Sequence, residues 1–157
     1  VSVTLPPFQS LLDAHATDLH RFLVAAAGHH DGDDLFQETV IAALRSYPGL
    51  RHADNLRGWL FTIAHRKVID QARRRARQPV PAADHPEVPQ FDADTLVDAE
   101  LWDAVRRLPP KQRSAVVQRY LLDRPYAEIA AVIGSSEDAA RQNVRAGLQR
   151  LRQEVTR

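Results

Sequence analysis

Asp138, Arg141, Gln142, Arg145, Gln149 and Arg152 share one side of a helical pattern near the end of the chain, at about 100° per residue. Ala140, Val144, Gly147, Leu148 and Leu151 take the other side. Guanidinium and carboxamide groups bond to base edges and to phosphates, so the chemistry on offer is recognition of nucleic acid. A solvated amphipathic helix shows the same division. The basic bias and the Gly134–Ser135–Ser136 turn, which separates this pattern from the one before it by only a few residues, favour a helix-turn-helix.

A second cationic set lies mid-chain. Arg66, Lys67, Arg73, Arg74 and Arg77 gather opposite Val68, Ile69 and Ala72. Arg66 and Arg73 stand two turns apart, a spacing that suits successive phosphates along a strand. Basic residues also favour a helix C-terminus through its dipole, yet the arginine density exceeds that need. Asp70 is expected to pair with Arg66, Arg73 or Arg74.

Other chemistry is poorly supplied. The chain has no cysteine, which excludes disulfides, thiolate metal ligation and thiol redox sensing within it. His29 and His30 adjoin Asp31, Asp33 and Asp34, but neighbouring histidines rarely converge on one ion, and a solvated turn capping the next helix accounts for them. Phosphate-cradling glycine loops and nucleophile motifs are absent. No catalysed reaction, cofactor or metal is expected. With no long apolar run, membrane insertion is not expected and a cytoplasmic location follows.

The elements that must position these groups are helical throughout. Periodicity predicts helices at Phe8–Ala27, Asp33–Ser46, Leu56–Arg77, Asp94–Arg107, Pro110–Leu122, Tyr126–Ile133 and Ser136–Val155. Pro110 suits a first helical turn, where its missing N–H costs nothing. For the last helix, Ser135 with Asp138 fits a capping box, and Ser136 is the competing cap. Gly147 costs about 1 kcal/mol relative to Ala in a helix, and either permits close packing or weakens the helix there.

The formal net charge of +1 conceals alternating blocks. Basic residues dominate 66–77; residues 78–100 hold Asp84, Glu87, Asp92, Asp94, Asp98 and Glu100 with no Lys or Arg; the C-terminal part is basic again. Pro79, Pro81, Pro86 and Pro89 stand in a stretch too poor in apolar anchors to order itself. The fold class expected is therefore all-α: two small helical domains, 1–77 and 94–157, joined by a flexible acidic linker, 78–93.

One face of the Asp33–Arg45 stretch carries Leu35, Phe36, Thr39, Val40, Ala43 and Leu44; the other carries Asp34, Gln37, Glu38, Ile41 and Arg45. Ile41 is an apolar residue within a polar rim, the pattern of a protein contact, although a lone exposed apolar residue is also ordinary.

Three blocks in series resemble bacterial RNA polymerase sigma factors of the sigma-70 family, extracytoplasmic-function subgroup. DGDDLFQETVIAAL (Asp31–Leu44) resembles region 2.2, NLRGWLFTIAHRKVIDQARRR (Asn55–Arg75) regions 2.3 and 2.4, and LPPKQRSAVVQRYLLDRPYAEIAAVIGSSEDAARQNV (Leu108–Val144) region 4. Leu44 stands where the family often has Trp, Leu56 where Phe is usual, and Ala139 and Ala140 where Thr and Val are typical.

The resemblance implies that Asp34, Gln37, Glu38, Ile41 and Arg45 contact the polymerase β′ clamp. The Pro48–Asn55 loop would capture a flipped base of the −10 element, using His52, Asp54 or Asn55; unstacking that base costs a few kcal/mol. Arg66, Arg73, Arg74 and Arg77 would hold the promoter backbone. Ser136, Glu137, Arg141, Gln142 and Arg145 would contact the −35 element, Arg suiting guanine, Gln adenine and Glu cytosine. The partners implied are polymerase core (β′ clamp and β flap), promoter DNA and an anti-sigma factor. The linker's charge would mimic nucleic acid near the RNA exit path. The alternative is a helix-turn-helix regulator that binds its operator without acting as the sigma subunit.

Overall fold

A computed structural model describes residues 3–77 and 93–155, with the backbone alone for residues 93–98. Its helices are α1 (Phe8–Ala27), α2 (His29–Ser46), α3 (Leu56–Arg77), α4 (Ala93–Arg107), α5 (Pro110–Tyr120), α6 (Tyr126–Ile133) and α7 (Glu137–Val155), with one 3-10 turn at Tyr47–Gly49. No strand occurs among the described residues. Apart from Ala93, the expected linker 78–93 lies outside them.

Helices α1, α2 and α3 form a first lobe, with Leu19, Phe22, Leu23, Leu35, Leu60, Phe61 and Val68 at its centre. Each such side chain contributes about 1.5–3 kcal/mol on full burial. Tyr47, buried at the end of α2, donates its hydroxyl proton to the Pro6 carbonyl and packs edge-on against Phe8. The second lobe is α4 to α7. Ala115, Ile129, Ala130, Ile133, Ala140 and Val144 form a compact cluster under the helix-turn-helix.

The expectations for α2 and α5 need correction at their ends. Helix α2 begins at His29 rather than Asp33, so His29–Asp33 is helical and not a capping turn. Gly28 (φ 89°) separates it from α1, and the Gly32 N–H already bonds the Gly28 carbonyl at 2.7 Å. Helix α5 ends at Tyr120, with Leu121 as its C-cap.

The turn before α7 is built from backbone chemistry. Gly134 adopts the left-handed region (φ 69°, ψ 42°), and the Ser135 N–H returns to the Ala130 carbonyl at 2.9 Å, closing a Schellman-type cap. Of the two competing caps it is Ser136 whose hydroxyl accepts the Ala139 N–H (3.1 Å), whereas Ser135 donates to the Ser136 carbonyl. Helix α7 runs unbroken through Gly147. A Cβ there would stand 2.7 Å from Cγ2 of Val116, so glycine serves the close approach of α7 to α5.

The two lobes are not held apart. Helix α1 packs on α4 and α5, and α3 packs on α5 and α6. A single apolar cluster runs from Leu19 and Phe61 to Val105, Leu108, Val117 and Val132. Periodicity identifies which face of each helix is apolar, but not that both lobes turn part of that surface toward each other.

Candidate nucleic-acid interface

On α2, Leu35, Thr39 and Ala43 are buried, and Asp34, Gln37, Glu38, Ile41 and Arg45 are all exposed. Leu44, assigned by pattern to the apolar face, is instead 54% exposed beside Ile41 at 49%. At 100° per residue Leu44 stands about 140° around the helix from Thr39, beyond the reach of α1 and α3. The outer face of α2 therefore presents an adjacent apolar pair inside a charged rim.

Next to it lies the basic surface of α3. Lys67, Asp70, Arg73, Arg74 and Arg77, together with Glu38 of α2, line one open basin. Arg66, Arg73, Arg74 and Arg77 are exposed. Arg75 differs from its neighbours: it turns back to the Asp31 carboxylate and ties α3 to α2. A basin with four cationic groups and open access suits a polyanion backbone.

In the loop before α3, His52, Asp54 and Asn55 are exposed. Asn55 already has structural work, because its Oδ1 accepts the Gly58 N–H (3.0 Å) and its carbonyl accepts the Trp59 N–H (3.0 Å). Its carboxamide N–H2 group remains for any base contact.

On α7, Ala140, Val144, Gly147 and Leu151 are buried, while Ser136, Glu137, Arg141, Gln142 and Arg145 are exposed. The Arg141 guanidinium is engaged within its own helix: it donates to Glu137 (2.6 Å) and Asp138 (3.2 Å). It also lies 5.2 Å from the centre of the Tyr126 ring, which Arg119 approaches at 4.5 Å. Asp138 thus pairs with Arg141 and does not complete a capping box. Sequence spacing permits these i,i+3 and i,i+4 pairs but gives no sign of Tyr126, which reaches α7 across the turn.

His30, Asp31 and Asp34 bring ligand-type atoms within 4.8 Å of one another. Asp31 is committed to Arg75, and His30 and Asp34 are solvent-exposed at 3.9 Å, which describes a solvated helix start.

Two groups, one buried and one half-buried, escaped the sequence reading. His65, 3% exposed, shares a 2.6 Å hydrogen bond from Nδ1 with the Ser114 hydroxyl of α5, and its Nε2 has no hydrogen-bond partner. Burial, with Lys111 and Arg66 adding like charge, lowers its pKa to about 4. Arg113 donates to the Ala26 carbonyl of the first lobe (3.0 Å) and to Leu108, and burial lowers its pKa to about 10. An apolar periodicity with one His or Arg in it gives no hint of a partner in another domain.

Comparison with known proteins accounts for both lobes. Residues 11–78 match the family description "Sigma-70 region 2", and residues 98–151 match "Sigma-70, region 4". The chain is 33% identical over 159 residues to the ECF RNA polymerase sigma factor SigE of Mycolicibacterium smegmatis, covering 94% of this chain and 61% of that protein. It is 35% identical over 129 residues to the ECF sigma factor SigF of Caulobacter vibrioides, covering 81% and 72%. The chain thus spans under two thirds of the first relative's length and more of the second's. The sigma factor RpoE of Bartonella quintana, solved with the anti-sigma factor NepR, has the same fold (TM-score 0.74, 23% identity, 97% of this chain and 98% of that one). The chain belongs to the sigma-70 family of RNA polymerase sigma factors, in its ECF subgroup.

Proposed function

We propose that this chain binds RNA polymerase core and directs promoter-specific initiation, residues 1–77 engaging core and the −10 element and residues 94–157 the −35 element. The observation that carries this reading is the first lobe's surface, where the exposed Ile41–Leu44 pair in its charged rim adjoins the open arginine basin. A DNA-binding domain alone needs a basic surface; it does not need a polar-rimmed apolar patch beside it.

In this reading Asp34, Gln37, Glu38, Ile41, Leu44 and Arg45 meet the β′ clamp. Arg66, Arg73, Arg74 and Arg77 hold the −10 backbone while the His52–Asn55 segment receives the flipped base. Ser136, Glu137, Arg141, Gln142 and Arg145 contact the −35 element, with the second lobe near the β flap. An anti-sigma factor is the expected regulator, as for the Bartonella quintana protein.

Footprinting and reconstituted transcription test it. Addition of the chain to core enzyme should produce promoter-dependent opening and transcripts, while the chain alone should open nothing. Operator protection without polymerase, and no transcription with it, would instead establish the regulator reading.

A further inference from the structure

The seam between the lobes has an unusual make-up. Around the apolar contacts stand three polar links between first- and second-lobe residues: His65 with Ser114, Arg113 with the Ala26 carbonyl, and Arg57 with Glu128 at 4.0 Å. Arg57 also faces Asp18 at 3.7 Å and lies 4.1 Å over the Phe61 ring. His65 and Ser114 are almost wholly buried, and Nε2 of His65 and Nη2 of Arg57 find no hydrogen-bond partner. Permanent interfaces resemble an apolar core cut in half; a seam with buried polar atoms left unmatched separates at lower cost.

Separation is what the function requires. Elements centred near −10 and −35 lie about 25 base pairs apart, or roughly 85 Å at 3.4 Å per step. A compact fold of 157 residues has a radius of gyration of about 15 Å. The closed chain cannot hold both elements at once.

We propose that the closed arrangement is a resting state latched by the His65–Ser114 pair, and that the lobes part at this seam when the chain engages core and promoter. The proposal rests on both lobes binding promoter DNA. The latch opposes productive binding: when only a fraction of molecules is open, the apparent affinity for core falls by that fraction. The pair is also sensitive to charge. Closed, His65 is kept neutral by burial and faces Lys111 of α5 and Arg66 of its own helix. Opening returns its imidazole to water, where it takes up a proton at its ordinary pKa. Acid therefore favours the open form.

The chain's lack of cysteine makes the test direct. Ser10→Cys and Gln153→Cys, both at exposed positions, accept a donor and an acceptor dye, one on each lobe. Energy transfer should report a closed population at pH 7.5. His65→Ala and Ser114→Ala should each lower the closed-to-open ratio, by roughly 5- to 150-fold, because each leaves the other polar group buried without a partner. The double variant should lose less than the sum of the two. His65→Asn, which keeps a hydrogen-bonding atom near the position of Nδ1, should stay closed. Lowering the pH to 5.5 should shift the unsubstituted chain toward open by about tenfold more than His65→Asn. His15, whose pKa burial and Arg57 also lower, responds alike in both.

At limiting chain concentration the two alanine variants should bind core more tightly by the factor that the dyes report. Circular dichroism identifies any variant that has unfolded. An extended unsubstituted chain, or alanine variants that fold yet leave both transfer and core affinity unchanged, overturns the latch. A chain that closes as described but never binds core overturns the sigma reading instead.

Discussion

In the proposed function Arg141 meets the −35 element, and its surroundings in the fold bear on that role. Its guanidinium lies between Glu137 and Asp138 and near the Tyr126 ring, which together set its direction. These are exposed pairs, each contributing little to stability, so exchanging them for a base edge would cost little. Arg141→Ala should weaken transcription from −35-dependent promoters by about 1–3 kcal/mol, with the loss concentrated on some base pairs of the element. A promoter library measures this; a uniform loss over all sequences would mean a phosphate contact. Ser136 has a separate, structural duty. Ser136→Ala removes the acceptor for the Ala139 N–H and should cost about 1 kcal/mol in urea unfolding. The Ser136 cap and the exposed basic face that carries Arg141 were both legible in the sequence, because caps and helix faces are local features. Tyr126 was invisible: no local spacing joins it to residue 141.

Helix α2 carries the clearest prediction at the scale of an element. Its buried line, Leu35, Thr39 and Ala43, is one helical row, and Ile41 and Leu44 lie exposed off that row. Ile41→Asp and Leu44→Asp should each lower affinity for polymerase core while leaving the thermal melt within a degree or two, since neither side chain supports the lobe. Competition binding against the unsubstituted chain measures the effect; full affinity in both variants would remove this face from the interface. The helices themselves were largely legible, with α1, α3 and α6 ending where periodicity, proline and glycine place their ends. The start of α2 was not, because His29–Asp33 is too polar to show a period. Leu44 was misplaced for a related reason. A pattern says which residues are apolar, whereas exposure depends on where the neighbouring helices stop.

At the scale of the whole molecule, the lobes are each readable and their union is not. Contacts such as Arg113 with Ala26 or His65 with Ser114 join residues far apart in the chain through single side chains, and neither leaves a periodic trace. Their consequence is nonetheless measurable in the stability of the fold against pH. His65 has a pKa of about 4 when buried and about 6.5 in an unfolded chain. The unfolded form therefore gains a proton first as the pH falls. The stabilisation from keeping this imidazole neutral is complete above pH 6.5 and is lost progressively between 6.5 and 4, a total of about 3 kcal/mol. Near pH 5 about 2 kcal/mol of it should already be gone. His65→Asn carries no such group, so urea unfolding at pH 7.5 and pH 5 should show a smaller decline for the variant than for the unsubstituted chain. Parallel declines would mean that His65 takes up its proton while the chain is still folded, by parting of the lobes or through a seam more open to water than its burial indicates.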